Sequence, residues 1–285
     1  MGWKVLIVAI VVLVFLMTLA ILYGAKRWQS DTGELYAKLD AARVPIAPES
    51  YDPRELENLP PPVQRYFRAV LKEGQPLIAA VSVEQTGTFN MSETGERWKP
   101  FTSTQRIITR RPGFVWDARI RMAPAMTAFV HDAYVAGEGV LTAKLFGFLT
   151  VMEQSATPEL AQGELMRFFA EAAWYPTALL PSQGVQWESV DDASARATLK
   201  DGQTTLTMLF RFAENGLIES VRAEARGRIV AGAVIPTPWE GRWSNYERHD
   251  GMRIPIEGEV MWMLPEGPKP YWRGRITRLR YEFAQ

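Results

Sequence analysis

The sequence predicts an α+β protein: an N-terminal transmembrane helix, then a large curved antiparallel sheet, an open half-barrel packed on a central helix. Three patterns carry this expectation. Val5 to Tyr23 is a long apolar run without charge. From Leu77 onward, apolar side chains return at every second position in segment after segment, the period of half-buried strands. Around Glu164–Pro181 the period lengthens to that of a helix, and strands resume after it.

At about 1.5 Å per residue, Val5–Tyr23 reaches about 28 Å, close to the roughly 30 Å hydrocarbon core of a bilayer. The run exceeds the apolar region of a cleaved signal peptide, and Tyr23-Gly24-Ala25 is a poor cleavage site. Trp3, Tyr23 and Trp28 flank it as an interfacial aromatic belt would. Lys4 on one side and Lys26 with Arg27 on the other leave the positive-inside rule nearly balanced. The expectation is a single-pass membrane protein with a short cytoplasmic N-terminus and its soluble part outside the cytoplasm. Three segments follow: an anchor with its flanks at 1–29, a short polar helix and proline-rich linker at 30–54, and the half-barrel at 55–285.

Leu59-Pro60-Pro61-Pro62 opens an amphipathic helix with Val63, Phe67, Val70 and Leu71 on one side. Candidate strands then lie at 104–110, 114–122, 127–136 and 140–153. In the second of these, Phe114, Trp116, Ala118, Ile120 and Met122 share one face, and Asp117, Arg119 and Arg121 share an opposite, wet one. The central helix starts at Thr157-Pro158, an N-cap followed by proline. Ala161, Leu165, Phe168, Phe169 and Ala172 form its apolar stripe, with Gln162, Arg167 and Glu171 elsewhere on the wheel. Pro176 ends it near Trp174. Beyond it, Asp201-Gly202, Asn215-Gly216 and Asp250-Gly251 are hairpin turns between alternating runs. Arg222, Glu224, Arg226 and Arg228 line the polar face of one such strand, and Pro265–Pro270 reads as a rigid loop. About ten or eleven strands result, and a twisted sheet of that size curls. Curled around the helix, it encloses an apolar concavity.

Composition narrows the functional classes. Lys plus Arg and Asp plus Glu number 32 each, so no basic surface for nucleic acid is expected. With no cysteine, thiol catalysis and thiolate metal sites are excluded. Ten Trp and 11 Met point to a large, adaptable apolar interior. No nucleophile elbow, phosphate-binding loop, HExxH or dinucleotide fingerprint occurs. Of the two histidines, His131 alternates with Phe129 and Ala133 and reads as a hydrogen-bonded core or rim residue, while His249 falls in a turn. No catalytic residue, metal or cofactor is assigned.

Asp117, Asp132 and Glu171 are the acids that could act together; Asp117 and Asp132 could pair across strands. Failing that, they are solvated positions on the outer face of the sheet, or, for Glu171, the partner of Arg167. Trp116, Phe168, Phe169, Glu171 and Trp174 are the candidate ligand-binding residues, since they would border a concavity between helix and sheet.

Four segments also carry a resemblance: LPPPVQRYFRAVL (Leu59–Leu71), GFVWDA (Gly113–Ala118), GELMRFFAEAAWYPTALLP (Gly163–Pro181) and the elements from Ile254 to Gly274. They resemble a bacterial family of uncharacterised membrane-anchored proteins over residues 55–283, a family whose motifs carry no assigned chemistry. In architecture the order of elements is similar to the lipoprotein-localisation half-barrels, whose members bind acyl chains. With that resemblance, the anchor, the predicted concavity and the lack of a catalytic motif lead to the expectation of an envelope protein of a bacterial inner membrane that binds a lipid or another apolar ligand. A hydrolase or transferase using the acids above, and a structural or sensory protein that binds a partner's peptide, are the alternatives.

Overall fold

Helix α1 runs unbroken from Gly2 to Ala41, through the segment where an anchor and a separate polar helix were expected. The computed structural model describes residues 2–230 and 232–285; Met1 and Ala231 lie outside the described residues. The first half of α1 is exposed and apolar. Its second half lies on the outer face of the sheet, where Trp28 and Leu39 are buried. That docking corrects one expectation. The face carrying Asp117 and Arg119 is covered by α1 rather than wet, and Val115 on the same face is fully buried in a small cluster with Leu39.

After α2 (Pro61–Val70) come β1 (Ile78–Asn90), β2 (Trp98–Ile108), β3 (Gly113–Ala123), β4 (Met126–Val135), β5 (Glu138–Leu145) and β6 (Leu149–Ser155). Helix α3 (Pro158–Glu171) follows, extended by 3-10 turns to Gln183. The chain ends with β7 (Gln186–Asp191), β8 (Ser194–Asp201), β9 (Thr204–Phe212), β10 (Ile218–Val230), β11 (Ala233–His249), β12 (Met252–Leu264) and β13 (Gly267–Phe283).

The described residues form one antiparallel sheet of 13 strands in the order β6-β5-β4-β3-β2-β1-β13-β12-β11-β10-β9-β8-β7. Two meanders run outward from the centre, where β1 pairs with β13. The chain must therefore return from one edge, β6, to the other, β7. It does so across the concave side, and α3 is that crossing. Its apolar stripe is buried there as the sequence predicts, with Leu165, Phe168 and Phe169 in the main core. Thr157 caps it by accepting from the Leu160 amide at 3.2 Å.

Curvature has a local cause. Gly87, Gly274 and Gly258 stand side by side on β1, β13 and β12. The indoles of Trp272 and Trp243 lie flat over this stripe: a Cβ on Gly274 would stand 2.3 Å from the Trp272 ring, and one on Gly258 2.5 Å from the Trp243 ring. Backbone covered by aromatic rings lets the sheet bend sharply without losing its core.

The predicted hairpin dipeptides are turns, with Asp250 and Gly251 at φ of 46° and 84°. Two expectations fail. The segment 140–153 is two strands, because Phe146 and Gly147 turn with φ of 54° and 77° and no turn dipeptide announces it. Pro268 and Pro270 belong to β13 rather than to a loop. They are tolerated because this end of β13 overhangs β1, whose pairing stops at Phe89 opposite Trp272, so the missing amides face no neighbour.

A candidate ligand-binding cleft

A cleft of about 640 Å³, counting its open mouth, lies between α3 and the concave face. Its walls are aromatic: Phe89, Trp116, Trp239, Trp243, Tyr271 and Trp272. The rings are fixed by one another. The Trp239 indole donates to the Tyr271 hydroxyl at 2.9 Å, and Tyr271 stacks on Trp262 with centroids 5.7 Å apart. The Trp116 indole donates to Gln85 Oε1 at 3.1 Å.

The floor is charged. Arg167 and Glu171 line it with Asp132; with Glu164, which is buried and does not line the cleft, they recur at i, i+3 and i+7 as a polar stripe on α3. The Arg167 guanidinium donates to Asp132 Oδ2 and, at 2.8 Å, to Glu171 Oε1, and sits 4.9 Å from the ring centres of both Phe114 and Trp116. Burial opposes its charge, but Glu171, Asp132 and Glu164 outweigh it, so its pKa rises and it stays cationic. Gln105 Nε2 donates to the other Glu171 oxygen at 2.7 Å. Glu164 behaves differently. Burial, then the charge of Asp132 and a hydrogen bond to it, push its carboxyl well above the usual range.

Arg226 reaches the cleft through a bulge. Regular alternation on β10 would point it outward with Arg222 and Glu224. The register shifts between Ala223 and Arg226 and turns its side chain inward. It lies 4.8 Å from the Trp239 ring centre and is 11% exposed. Among the described residues its carboxylate partner is Glu164, at the loose distance of 3.5 Å. The buried Trp243 Nε1 has no hydrogen-bond partner among the described residues. Among the described residues the cleft therefore holds one donor group, the Arg226 guanidinium, that the protein engages only loosely.

Of the residues singled out in the sequence, Trp116 and Glu171 line the cleft. Phe168, Phe169 and Trp174 do not; they are buried behind it against Tyr175, Phe210 and Trp243. The apolar stripe faces the packed core, and the open space forms over the polar stripe. Asp132 and Glu171 meet on Arg167, but Asp117 is on the other side of the sheet. Opposite one another on β3 and β4 stand Trp116 with Asp132 and Asp117 with His131, so neighbouring positions send the two aspartates to opposite faces. The expected pairing of Asp117 with Asp132 is thus ruled out, and Asp132 is not on the outer face. Asp117 instead accepts from the Trp28 indole of α1 at 2.8 Å.

Glu164, Arg226 and most of the aromatic wall were not singled out in the sequence. The i, i+3, i+7 polar stripe on a helix predicted to be buried was the available signal for Glu164. Nothing local marks the bulge that brings in Arg226.

Comparison with solved structures finds a LolA superfamily protein from Nitrosomonas europaea, 10% identical, covering 78% of this chain and 92% of that one with a TM-score of 0.40. It also finds a β-barrel-like protein of a domain of unknown function, DUF1849, from Brucella abortus, 9% identical, covering 72% and 99% with a TM-score of 0.24. No curated protein matches the sequence. The family of unknown function DUF6920 matches residues 57–281, the whole of the sheet but its last strand end, and the chain belongs to that family.

Proposed function

We propose that the protein is a membrane-anchored binding protein whose cleft takes an apolar molecule with a hydrogen-bond-accepting, preferably anionic, head. One observation carries the reading: an aromatic-walled cleft lined by Arg226, whose one ion-pair partner among the described residues, Glu164, is at the loose distance of 3.5 Å. Aromatic walls suit an apolar body, and a guanidinium on an indole face suits a carboxylate or phosphate. Residues 5–23 span the membrane in this reading, with the sheet outside the cytoplasm; a topology reporter fused after Gln285 tests that orientation.

The binding claim is tested by native mass spectrometry of the full chain released from lipid nanodiscs. A retained amphiphile, lost in a Leu141→Trp variant that fills the cleft, is the expected result. Equal retention by the filled variant, or none by the wild type, overturns it.

A second reading has its own observation. The Glu164 carboxyl is buried, and burial and then the neighbouring Asp132 carboxylate raise its pKa; a carboxyl perturbed in this way suits acid–base chemistry. This would make the protein a hydrolase or transferase acting on the molecule held in the cleft. Turnover of the copurified amphiphile that disappears in Glu164→Gln would favour it over simple binding.

A further inference from the structure

Antiparallel neighbours alternate in direction, so β1, β3, β5, β10 and β12, which take alternate places in the sheet, all end at the same rim of the half-barrel. Helix α1 leaves the sheet at that rim. Its backbone touches the β5–β6 turn: a Cβ on Gly24 would stand 2.4 Å from the Phe146 carbonyl oxygen, and one on Gly147 would stand 2.7 Å from the Gly24 oxygen. Gly24 directly follows the apolar run, and the helix has no break there. Whatever surrounds Val5–Tyr23 therefore begins level with the β5–β6 turn.

The apolar surface follows the same geometry. Beyond Tyr23, nine large apolar side chains are exposed among the described residues, and Val44 and Val190 are the two away from this rim. The other seven lie on its hairpins and loops, among them Phe148 (44% exposed), Leu149 (53%), Val151 (56%), Val234 (51%) and Ile235 (44%). Two separate hairpins, β5–β6 and β10–β11, thus present apolar side chains in the direction in which the helix departs. Lys26 and Arg27 stand exposed at the same level, where lipid headgroups would meet them. Phe89 and Tyr271 of the cleft are also near this end, next to last in β1 and fifth in β13.

We propose that this rim rests on the bilayer that holds Val5–Tyr23, with the β5–β6 and β10–β11 hairpins in its interfacial layer, so that the cleft exchanges its occupant with that membrane. The proposal rests on the reading of residues 5–23 as a membrane span. Its continuity with that span distinguishes a lipid surface from a protein partner, for which the exposed side chains would have no reason to gather at the level of Gly24. Interfacial elements bury their apolar face about 5–10 Å into the headgroup boundary, a depth within reach of a hairpin tip.

The chain has no cysteine, so single cysteines can be labelled without background. Leu13→Cys, Leu149→Cys, Val234→Cys and Val190→Cys, each in the full chain, are labelled with an environment-sensitive fluorophore and reconstituted in vesicles carrying spin-labelled acyl chains. The expected result is blue-shifted, quenched emission at positions 13, 149 and 234, and neither change at 190. Quenching at 13 with positions 149 and 234 behaving like 190 overturns the proposal and leaves the span intact. Absence of quenching at 13 overturns the span and the proposal with it.

Discussion

The Trp28 indole of α1 stacks on the His131 imidazole of β4, centroids 3.8 Å apart and planes 19° from parallel. Its N–H donates to Asp117, and Thr32, one turn along α1, is 2.7 Å from His131 Nε2. This small polar cluster, almost fully buried, ties α1 to the sheet. Trp28→Ala removes a fully buried indole and leaves Asp117 without one donor. A loss of about 3–5 kcal/mol is expected from such a truncation. Urea unfolding measures it, and limited proteolysis within residues 24–41 shows whether α1 detaches first.

The same cluster sets a pH dependence. Burial pushes the His131 imidazole down from 6.5 to about 4, with Arg119 and Lys144 helping and Asp117 and Asp31 opposing. Between those values the unfolded chain binds a proton that the folded chain does not. Stability is therefore complete above about 6.5 and falls as pH drops toward about 4. The full window corresponds to about 3 kcal/mol. Urea unfolding at pH 7 and pH 5 should show the decline in the wild type and a smaller one in His131→Gln.

Curvature depends on bare backbone under Trp272 and Trp243. Gly274→Ala puts a methyl group 2.3 Å from the Trp272 ring, which has no flexible end to move aside. A cost of about 1–3 kcal/mol is expected from the displaced ring. Thermal unfolding measures it, and a change in near-ultraviolet circular dichroism reports the shifted indole.

The two cleft arginines should separate stability from binding. Arg167→Met strands Asp132 and Glu171 without their shared cation, and breaking a buried pair in this way costs about 3–5 kcal/mol. Arg226→Gln removes a cation held by one loose contact, to Glu164 at 3.5 Å. It should lower the melting temperature less than Arg167→Met yet abolish amphiphile retention. Equal retention by both variants would separate Arg226 from the ligand.

Much of the fold was legible because alternation and turn chemistry are local. The Asp250-Gly251 hairpin, the cap at Thr157 and the apolar stripe of α3 all follow from neighbouring residues. The sites that were misread depend on distant geometry. Whether Asp117 and Asp132 share a face depends on the register of β3 against β4, and Arg226 faces inward because of one extra residue in β10. The continuity of α1 hid the covering of the outer face, since Ser30–Arg43 reads as an independent polar helix until Trp28 is seen beneath it. The cleft itself lay over the charged side of α3, where an apolar concavity was expected over the greasy side.

The most direct test is an experimental structure of the full chain purified from membranes without delipidation. Density for an elongated molecule between Trp239, Tyr271 and Trp243, with its polar end against Arg226, is the expected result. A cleft closed by those same side chains, with Arg226 turned fully onto Glu164, would contradict it.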